Sequence, residues 1–320
     1  MNEEYLWDRS GADPEIEEIE RKLAAFQYGA RHASAPPSMR GHAPLVWAAA
    51  AAIVATAIVL SQVAPRGGRA TAWQVESLAG AAHIGGRAAA VSMPLLAGQL
   101  LRTGQGSEIS LRADEVGRID IGPESEMQAS TDRKVLLRRG QLHAFIWAPP
   151  RQFVLDTPSA RAVDLGCEYT LNVDAAGDGL LRVSLGWVAF QYGDHESFIP
   201  AGADCVTRKR SGPGIPYYED APEELRTALA RFESGDAAAL AGILRSARAR
   251  DGLTLWHLLT RASESDRGAV FDRFAQLVPL PKDVTREGVL RREPDQIDHC
   301  WDALDLENTG WWRGWERKWR

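Results

Sequence analysis

The chain has 320 residues, which at roughly 100–200 residues per domain predicts about two folded units. Charged residues make up 25% and hydrophobic residues 45%, a composition that excludes a disordered chain and a polytopic transporter. The formal net charge of -6 provides no basic field, so we expect no direct nucleic-acid partner.

Residues 1–43 predict a short helical segment followed by a tether. Asp13 and Pro14 have the residue types of an N-cap and a first helical position. Apolar residues then recur at helical spacing, and an aromatic patch precedes them. The residues that we expect to bind a partner are Tyr5, Leu6, Trp7, Ile16, Ile19, Leu23 and Phe26. One helix cannot bury this face alone, so the segment either folds on a partner or rests on lipid as a loosely ordered tail.

Residues 44–64 form an uncharged run that predicts one transmembrane helix. About 20 helical residues span the roughly 30 Å hydrocarbon core of a bilayer. The run is long for a buried core helix, and it begins too late for a signal peptide. Arg31 and Arg40 precede it while Arg66 and Arg69 follow it, so charge alone does not set the topology.

Residues 71–208 predict an all-β domain, either a sandwich, a barrel or a short β-roll. Short runs of alternating apolar and polar residues are separated by glycine and aspartate, as is typical of strands and turns. These runs cover 107–113, 117–122, 134–147, 152–157, 168–175 and 180–192. β surfaces of this kind usually bind partners or transmit signals. A catalytic function would require reactive side chains that can be recognised among the strand residues.

No catalytic or metal-binding motif stands out in the chain. The sequence lacks a GxSxG elbow, an HExxH pair and a Walker loop, and His83, His143 and His195 are isolated. Asp298-His299-Cys300 looks more chemical, but adjacent helical residues point to different faces, which favours a structural role. We therefore expect no enzyme, no cofactor and no metal site.

The strand runs also occur in a recognisable order with particular short segments among them. The ordered pieces are 95–112, 117–122, 135–144, 153–173 and 180–190, and they contain in turn Thr157-Pro158, Val163-Asp164-Leu165-Gly166 and Leu185-Gly186-Trp187-Val188. As a set, residues 71–205 resemble the FecR-type domain of transmembrane anti-sigma regulators. Residues 4–23 look like the short cytoplasmic segment that precedes the span in some members.

That resemblance implies a single-pass protein of the bacterial inner membrane, with a cytoplasmic N-terminus and a periplasmic C-terminus. It further implies regulation of an extracytoplasmic-function sigma factor, with inner-membrane lipid and an unknown periplasmic protein as further partners. The N-terminal segment has no HxxxCxxC, so it departs from the zinc-binding anti-sigma type. The C-terminal third does not look like the part that meets an outer-membrane transducer, so no siderophore signal is implied.

The implied periplasmic location makes a disulfide between Cys167 and Cys205 a candidate, because that compartment is oxidising. Two packed thiols on separate strands are the alternative. Cys300 is left over by parity and is expected to be free.

Residues 217–306 predict a helical region, since apolar residues follow helical spacing and the connections are short. An array of short helices either binds a protein or packs on the β domain. The tail, 307–320, is rich in tryptophan and arginine, and its candidate membrane or partner residues are Trp311, Trp312, Trp315 and Trp319. Packing of the tail back onto the helices is the third alternative.

The predicted fold class is therefore multidomain: a short helical N-terminal segment, one transmembrane helix, an all-β FecR-like domain and an α-helical C-terminal region. The predicted function is a single-pass regulator that couples a periplasmic β sensor domain to a cytoplasmic segment that binds a sigma factor. An envelope scaffold or ligand-binding sensor with no sigma partner is the alternative.

Overall fold

A computed structural model describes residues 73–306, except residues 132 and 194. Its first part is built of short strands, because apolar side chains alternate with polar ones and glycines in left-handed conformations end the runs. The strands are β1 Trp73–Ala79, β2 Ala82–Ile84, β3 Arg87–Ala88, β4 Pro94–Leu95, β5 Leu100–Thr103, β6 Glu108–Ala113, β7 Gly117–Ile121, β8 Glu126–Ala129, β9 Lys134–Ile146, β10 Val154–Asp156, β11 Arg161–Asp164, β12 Glu168–Val173, β13 Gly179–Leu185, β14 Trp187–Tyr192, β15 His195–Pro200, β16 Ala203–Arg208, β17 Gly212–Pro213 and β18 Tyr217–Tyr218.

These strands form two sheets. Sheet I has the order β4-β1-β6-β7-β9-β12-β13-β16, with β17 and β18 both pairing with β16. Sheet II has the order β3-β2-β5-β8-β9-β10-β11-β14-β15. The β9–β10 pair is parallel, and the other neighbouring strands in these two orders run antiparallel. Buried side chains of both sheets belong to one hydrophobic core, so the sheets close over a shared interior.

Strand β9 belongs to both sheets. Its first half pairs with β8 and β10 in sheet II, and its second half pairs with β7 and β12 in sheet I. Gly140 lies at the change of sheet with φ +97°. A Cβ atom there would lie 2.1 Å from Ser125 Oγ, so both the backbone conformation and the close approach require glycine.

Helices follow the last strand. They are α1 Glu223–Glu233, α2 Leu240–Ser246, α3 Gly252–Arg261, α4 Glu264–Leu277, α5 Arg286–Leu290 and α6 Pro294–Asp302, with 3₁₀ turns at Ala237–Ala239 and Ala249–Asp251. Ser263 caps α4 by accepting the Asp266 N–H, Thr285 caps α5 by accepting the Gly288 N–H, and Pro294 opens α6.

An aromatic cluster joins the helices to sheet II. The Trp301 ring of α6 lies 4.5 Å from Trp256 of α3, 5.8 Å from Trp187 of β14 and 6.0 Å from Phe198 of β15. Because aromatic rings bury large apolar areas, this cluster makes the helices part of the same core as the strands.

The predicted fold class requires a correction. The described chain is mostly β-sheet over 73–218, with a helical part towards its C-terminal side. None of the helices between residues 73 and 306 is long and apolar enough to cross a membrane. The longest of them, α4, has 14 residues and spans about 21 Å, which is short of the roughly 30 Å hydrocarbon core.

This finding overturns the fold class with one transmembrane helix and the single-pass inner-membrane location that was based on it. The predicted span at 44–64 lies outside the described residues, as do the predicted helical segment 1–43 and the tail 307–320.

Candidate functional site

The outer face of sheet I carries one continuous row of side chains across five strands. Strand register places Arg112 opposite Arg118, Arg118 opposite Phe145, Phe145 opposite Glu168, and Glu168 opposite Leu185. Residues directly opposite each other in a regular ladder point to the same side, so Arg112, Arg118, Phe145 and Glu168 stand together on the outer face. Leu185 lies opposite Glu168 at a β-bulge and is exposed at the end of β13.

The apolar members of this region are unusually exposed. Phe145 is 44% exposed, Trp147 40% and Leu185 55%, and we call these three residues the aromatic patch. The Phe145 and Trp147 rings meet edge to face at 5.9 Å. The Arg112 guanidinium lies 5.1 Å above the Trp147 ring, and Trp147 Nε1 donates to the Asp114 carbonyl at 2.7 Å. These contacts fix the orientation of the exposed rings.

Charged groups of both signs lie next to the aromatic patch. Arg118 Nε lies 3.0 Å from an Asp120 oxygen and 3.5 Å from a Glu76 oxygen. His143 lies between two carboxylates, with Nε2 3.0 Å from Glu168 and Nδ1 3.6 Å from Asp120. Exposed aromatic rings with arginine beside them are the composition that concentrates binding energy at protein interfaces. This face is therefore chemically equipped to bind a protein.

A second cluster lies inside the β region, at the turn between β11 and β12. Asp164 is only 1% exposed. One of its carboxylate oxygens accepts the Cys167 thiol at 2.6 Å, and the other accepts the Gly166 N–H at 2.7 Å. Burial raises the pKa of Asp164 to about 7, although these hydrogen bonds act in the opposite direction.

The same burial makes the neighbouring groups unreactive. Desolvation raises the pKa of the Cys167 thiol and of the Tyr169 hydroxyl well above their ordinary values. Because the thiolate is the nucleophilic form of cysteine, Cys167 is not an activated nucleophile. Among the described residues the Tyr169 hydroxyl has no hydrogen-bond partner. Burial thus favours the protonated forms of Asp164, Cys167 and Tyr169.

Two side chains of α3 form hydrogen bonds with backbone groups at the outer edge of β15. His257 Nε2 accepts the Phe198 N–H at 3.1 Å, and its Nδ1 donates to the Leu253 carbonyl at 2.9 Å. Arg261 donates to the Glu196 carbonyl at 3.0 Å. Burial lowers the pKa of His257 to about 3, so the imidazole is neutral and can accept a hydrogen bond. The helix thereby covers an edge that would otherwise be open for pairing.

Many of the sequence-predicted site residues lie outside the described part of the chain. These are Tyr5, Leu6, Trp7, Ile16, Ile19, Leu23 and Phe26 of the N-terminal segment and Trp311, Trp312, Trp315 and Trp319 of the tail. Their predicted roles stay predictions.

The two cysteines considered for a disulfide are free buried thiols, and so is Cys300. Leu171 of β12 pairs with Leu181 of β13, which in turn pairs with Cys205 of β16. Cys167 lies four residues before Leu171. Two strand spacings and this offset separate Cys167 and Cys205 by roughly 16 Å. A disulfide requires Cα atoms within about 7 Å, so the fold keeps these two residues apart.

The histidines singled out in the sequence do not form a common site. His83 lies on β2, His143 on β9 and His195 on β15. Between residues 73 and 306, no group of three or more His, Cys, Asp or Glu side chains is arranged to hold a metal ion. His299 Nδ1 lies 2.8 Å from an Asp283 carboxylate oxygen. Cys300, next to His299, is fully buried.

The sequence patterns did not single out the aromatic patch, although a signal for it was present. In β9 the alternation buries Ala144 and Ile146 and directs Phe145 outward, and Trp147 continues this alternation one residue past the end of the strand. Two large aromatic residues at the exposed positions of such a run are a signal for a binding surface. The contribution of Leu185 depends on cross-strand register, which the sequence does not give.

Comparisons with known proteins found limited similarity. No family model matches the chain, and no curated protein matches it. A solved structure of a candidate anti-sigma factor from Parabacteroides distasonis ATCC 8503 is 14% identical with a TM-score of 0.34, covering 41% of this chain and 64% of that one. A second such structure from this organism is 14% identical with a TM-score of 0.33, covering 46% and 74%.

The chain thus spans less than two thirds of the first of these structures. Both neighbours are described as anti-sigma factors in general terms, and the similarity does not distinguish a FecR-type member.

Proposed function

We propose that the chain is a protein-binding regulator of the anti-sigma type, in which the aromatic patch of sheet I forms part of the surface that binds a sigma factor. The observation that carries this proposal is the exposure of Phe145, Trp147 and Leu185 together on a rigid sheet face. Loops are the usual site of variable binding residues, but a sheet holds its side chains in fixed positions before a partner arrives.

The size of the aromatic patch suits the centre of an interface. Large apolar side chains present about 150–250 Å² each, so the exposed fractions leave roughly 250 Å² of apolar surface. A complete interface buries about 800 Å² on each partner. Phe145 and Trp147 therefore supply an apolar centre and Arg112 and Arg118 supply part of a charged rim, while Glu168 lies between Phe145 and Leu185.

The sequence provides further support for a sigma factor as the partner. Residues 71–205 resemble the FecR-type domain, and the resemblance implies an extracytoplasmic-function sigma factor. The proposal keeps this partner but not the implied periplasmic location of the β region, because the single-pass location has been overturned. The N-terminal apolar face, including Ile19 and Leu23, is the second surface that we propose for this partner. A helix of this kind gains stability when a partner buries its apolar face.

The test is capture of extracytoplasmic-function sigma factors encoded in the same genome by the purified full-length chain. We expect Phe145→Ser to weaken capture at least tenfold, because removal of a central aromatic residue costs more than about 1.4 kcal/mol of binding free energy. Leu23→Asp should also weaken capture, since it places a charge in an apolar interface.

Two control variants distinguish the loss of a specific contact from a general effect of substitution on capture. Leu96 is 49% exposed and lies outside the aromatic patch, so Leu96→Ser should leave capture unchanged. Glu18 is not one of the residues of the predicted apolar face, so Glu18→Lys should matter less than Leu23→Asp. If no sigma factor is captured by the unaltered chain, the proposal is wrong and a scaffold or ligand-binding sensor without a sigma partner is favoured.

A further inference from the structure

The charged side chains around the aromatic patch contain more carboxylates than cations. In the described part of the chain, the groups that contact one another there belong to Glu76, Asp114, Asp120, Glu168, Arg112, Arg118 and His143. Four of them are carboxylates, so the negative groups are in excess even when His143 is protonated. The Asp114 side chain is 84% exposed and the Glu76 side chain 38%. This surface therefore favours a basic partner over an acidic one.

The aromatic patch itself favours a partner with rings and guanidinium groups. Phe145 and Trp147 remain partly exposed although they contact each other. An aromatic ring binds a second ring at its edge or face, and it binds a guanidinium over its face. Arg112 makes a contact of the second kind with Trp147. The exposed Leu185 adds aliphatic surface next to Glu168. A segment that is both aromatic and basic fits this combination.

One segment of the chain has this composition. The tail, 307–320, carries four tryptophans and four basic side chains against two carboxylates. Its basic residues are Arg313, Arg317, Lys318 and Arg320. The tail is therefore complementary to the aromatic patch and its surroundings in both charge and ring content.

The chain that leads into the tail is anchored near the Leu185 end of the aromatic patch. Leu185 is two residues from Trp187, so their Cα atoms are at most about 7 Å apart. The Trp187 ring lies 5.8 Å from the Trp301 ring of α6. Leu306, the residue before the tail, still packs against the hydrophobic core. The tail thus begins close to one end of the surface that it complements.

The tail is long enough to cover the aromatic patch. Leu306 is five residues beyond Trp301, which places it within roughly 40 Å of Leu185 whatever the direction of the chain between them. The 14 residues of 307–320 extend to at most roughly 46–50 Å. A tethered segment has a local concentration on the order of 1 mM at a site within its reach, so even a millimolar affinity occupies that site about half of the time.

We propose that the tail of the same chain, 307–320, docks on the aromatic patch. Its tryptophans contact Phe145, Trp147 and Leu185, and its basic side chains face the surrounding carboxylates. The contact itself does not require a sigma factor. Its regulatory consequence rests on the proposed function, because a docked tail competes with the sigma factor for the aromatic patch.

Carbodiimide cross-linking of the unaltered full-length chain, read by mass spectrometry, tests the contact. The reagent joins a lysine amine to a carboxylate that touches it, and Lys318 is the lysine of the tail. We expect Lys318 to be joined to Glu76, Asp114 or Glu168 in the monomer. Absence of all three links overturns the proposal. Links that occur only in a cross-linked dimer also overturn it, since the tail would then occupy a second copy.

Hydroxyl-radical footprinting of full-length variants tests the tryptophans. Serine at all four tail tryptophans should raise the oxidation rate of Phe145 at least twofold, because a ring covered half of the time reacts at half its free rate. The substituted positions are Trp311, Trp312, Trp315 and Trp319. Asn308→Ser is the matched control in the tail and should change nothing. Tyr192, 39% exposed at the other end of β14, should react equally in every protein.

Equal oxidation of Phe145 in the unaltered chain and in the folded tryptophan variant contradicts the proposal. Phe153 is fully buried, so its oxidation stays low as long as a variant is folded. If it rises, cross-linking of the unaltered chain decides the proposal.

Sigma-factor capture separates this proposal from the proposed function. If both hold, the tryptophan variant should bind the sigma factor about twofold more tightly than the unaltered chain, because the competing tail is removed. Cross-links from Lys318 to the patch carboxylates without any capture would refute the proposed function and leave the docked tail in place. Capture without these cross-links would refute the docked tail alone.

Discussion

The buried carboxyl group of Asp164 should make the stability of the protein depend on pH in an unusual direction. Burial raises the pKa of this group to about 7 in the folded protein, against about 3.9 for an unperturbed aspartate. The folded state therefore binds a proton that the unfolded state has released between these two values. The stabilisation is fully present below about pH 4 and is lost as the pH rises through about 7.

The size of the pH effect follows from the difference between the folded and unfolded pKa values of Asp164. One pKa unit corresponds to about 1.4 kcal/mol, so this difference corresponds to about 4 kcal/mol of unfolding free energy. Asp164→Asn removes the titration but keeps an oxygen that can accept the Gly166 N–H. The Cys167 thiol, a weak donor, loses its carboxylate partner. We expect the variant to be more stable than the unaltered protein by a few kcal/mol at pH 8, and to lose this advantage by about pH 4.

Urea unfolding of both proteins at intervals from pH 4 to pH 8 measures this difference, because the other titrating groups contribute equally to both. Asp156→Asn is the matched control. Partial burial acts to raise the pKa of Asp156, but hydrogen bonds from Arg161 and Lys134 outweigh it and lower the pKa. Asp156 therefore stabilises above about pH 4, and its removal should cost stability at pH 7 and less as the pH falls. A difference between unaltered protein and Asp164→Asn that is the same at every pH would refute the buried titration of Asp164.

Two further predictions concern buried groups. His257→Leu should lower the free energy of unfolding, as measured by urea titration, by about 1–3 kcal/mol. The reason is that the Phe198 N–H at the covered sheet edge loses its acceptor. His83→Leu, at an exposed position, should change stability by less than about 0.5 kcal/mol, and equal effects would contradict the role of His257. All three cysteines are buried, and burial raises the pKa of Cys205 to about 12. Thiol titration should therefore find no rapidly reacting thiol in the native protein and three in denaturant without reductant, whereas a single thiol in denaturant would mean that a disulfide forms.

Local patterns in the sequence locate most strands and helices of the described chain. The runs 107–113 and 117–122 coincide with β6 and β7, and 168–175 coincides with β12. The predicted helical region 217–306 contains the helices α1 to α6. These elements are local in origin, because burial of one face imposes a period of two on a strand and of 3.6 on a helix. An apolar run by itself does not reveal what surrounds it.

The sequence also singled out Val163-Asp164-Leu165-Gly166 without showing that Asp164 would be buried. That burial results from the closure of two sheets over one core, and the position of each strand in a sheet depends on partners distant in sequence. Cys167 and Cys205 are separated for the same reason, since their strands are not neighbours.

The type of each element can be predicted from the chain alone, because side-chain alternation and helical spacing are encoded within a few residues. The contacts between these strands and helices are decided only in the folded chain. Phe145 and Leu185 share a surface through register, and Trp187 and Trp301 share a core because α6 packs against β14. These arrangements depend on contacts between residues far apart in the chain, and the local spacing of apolar residues does not specify such contacts.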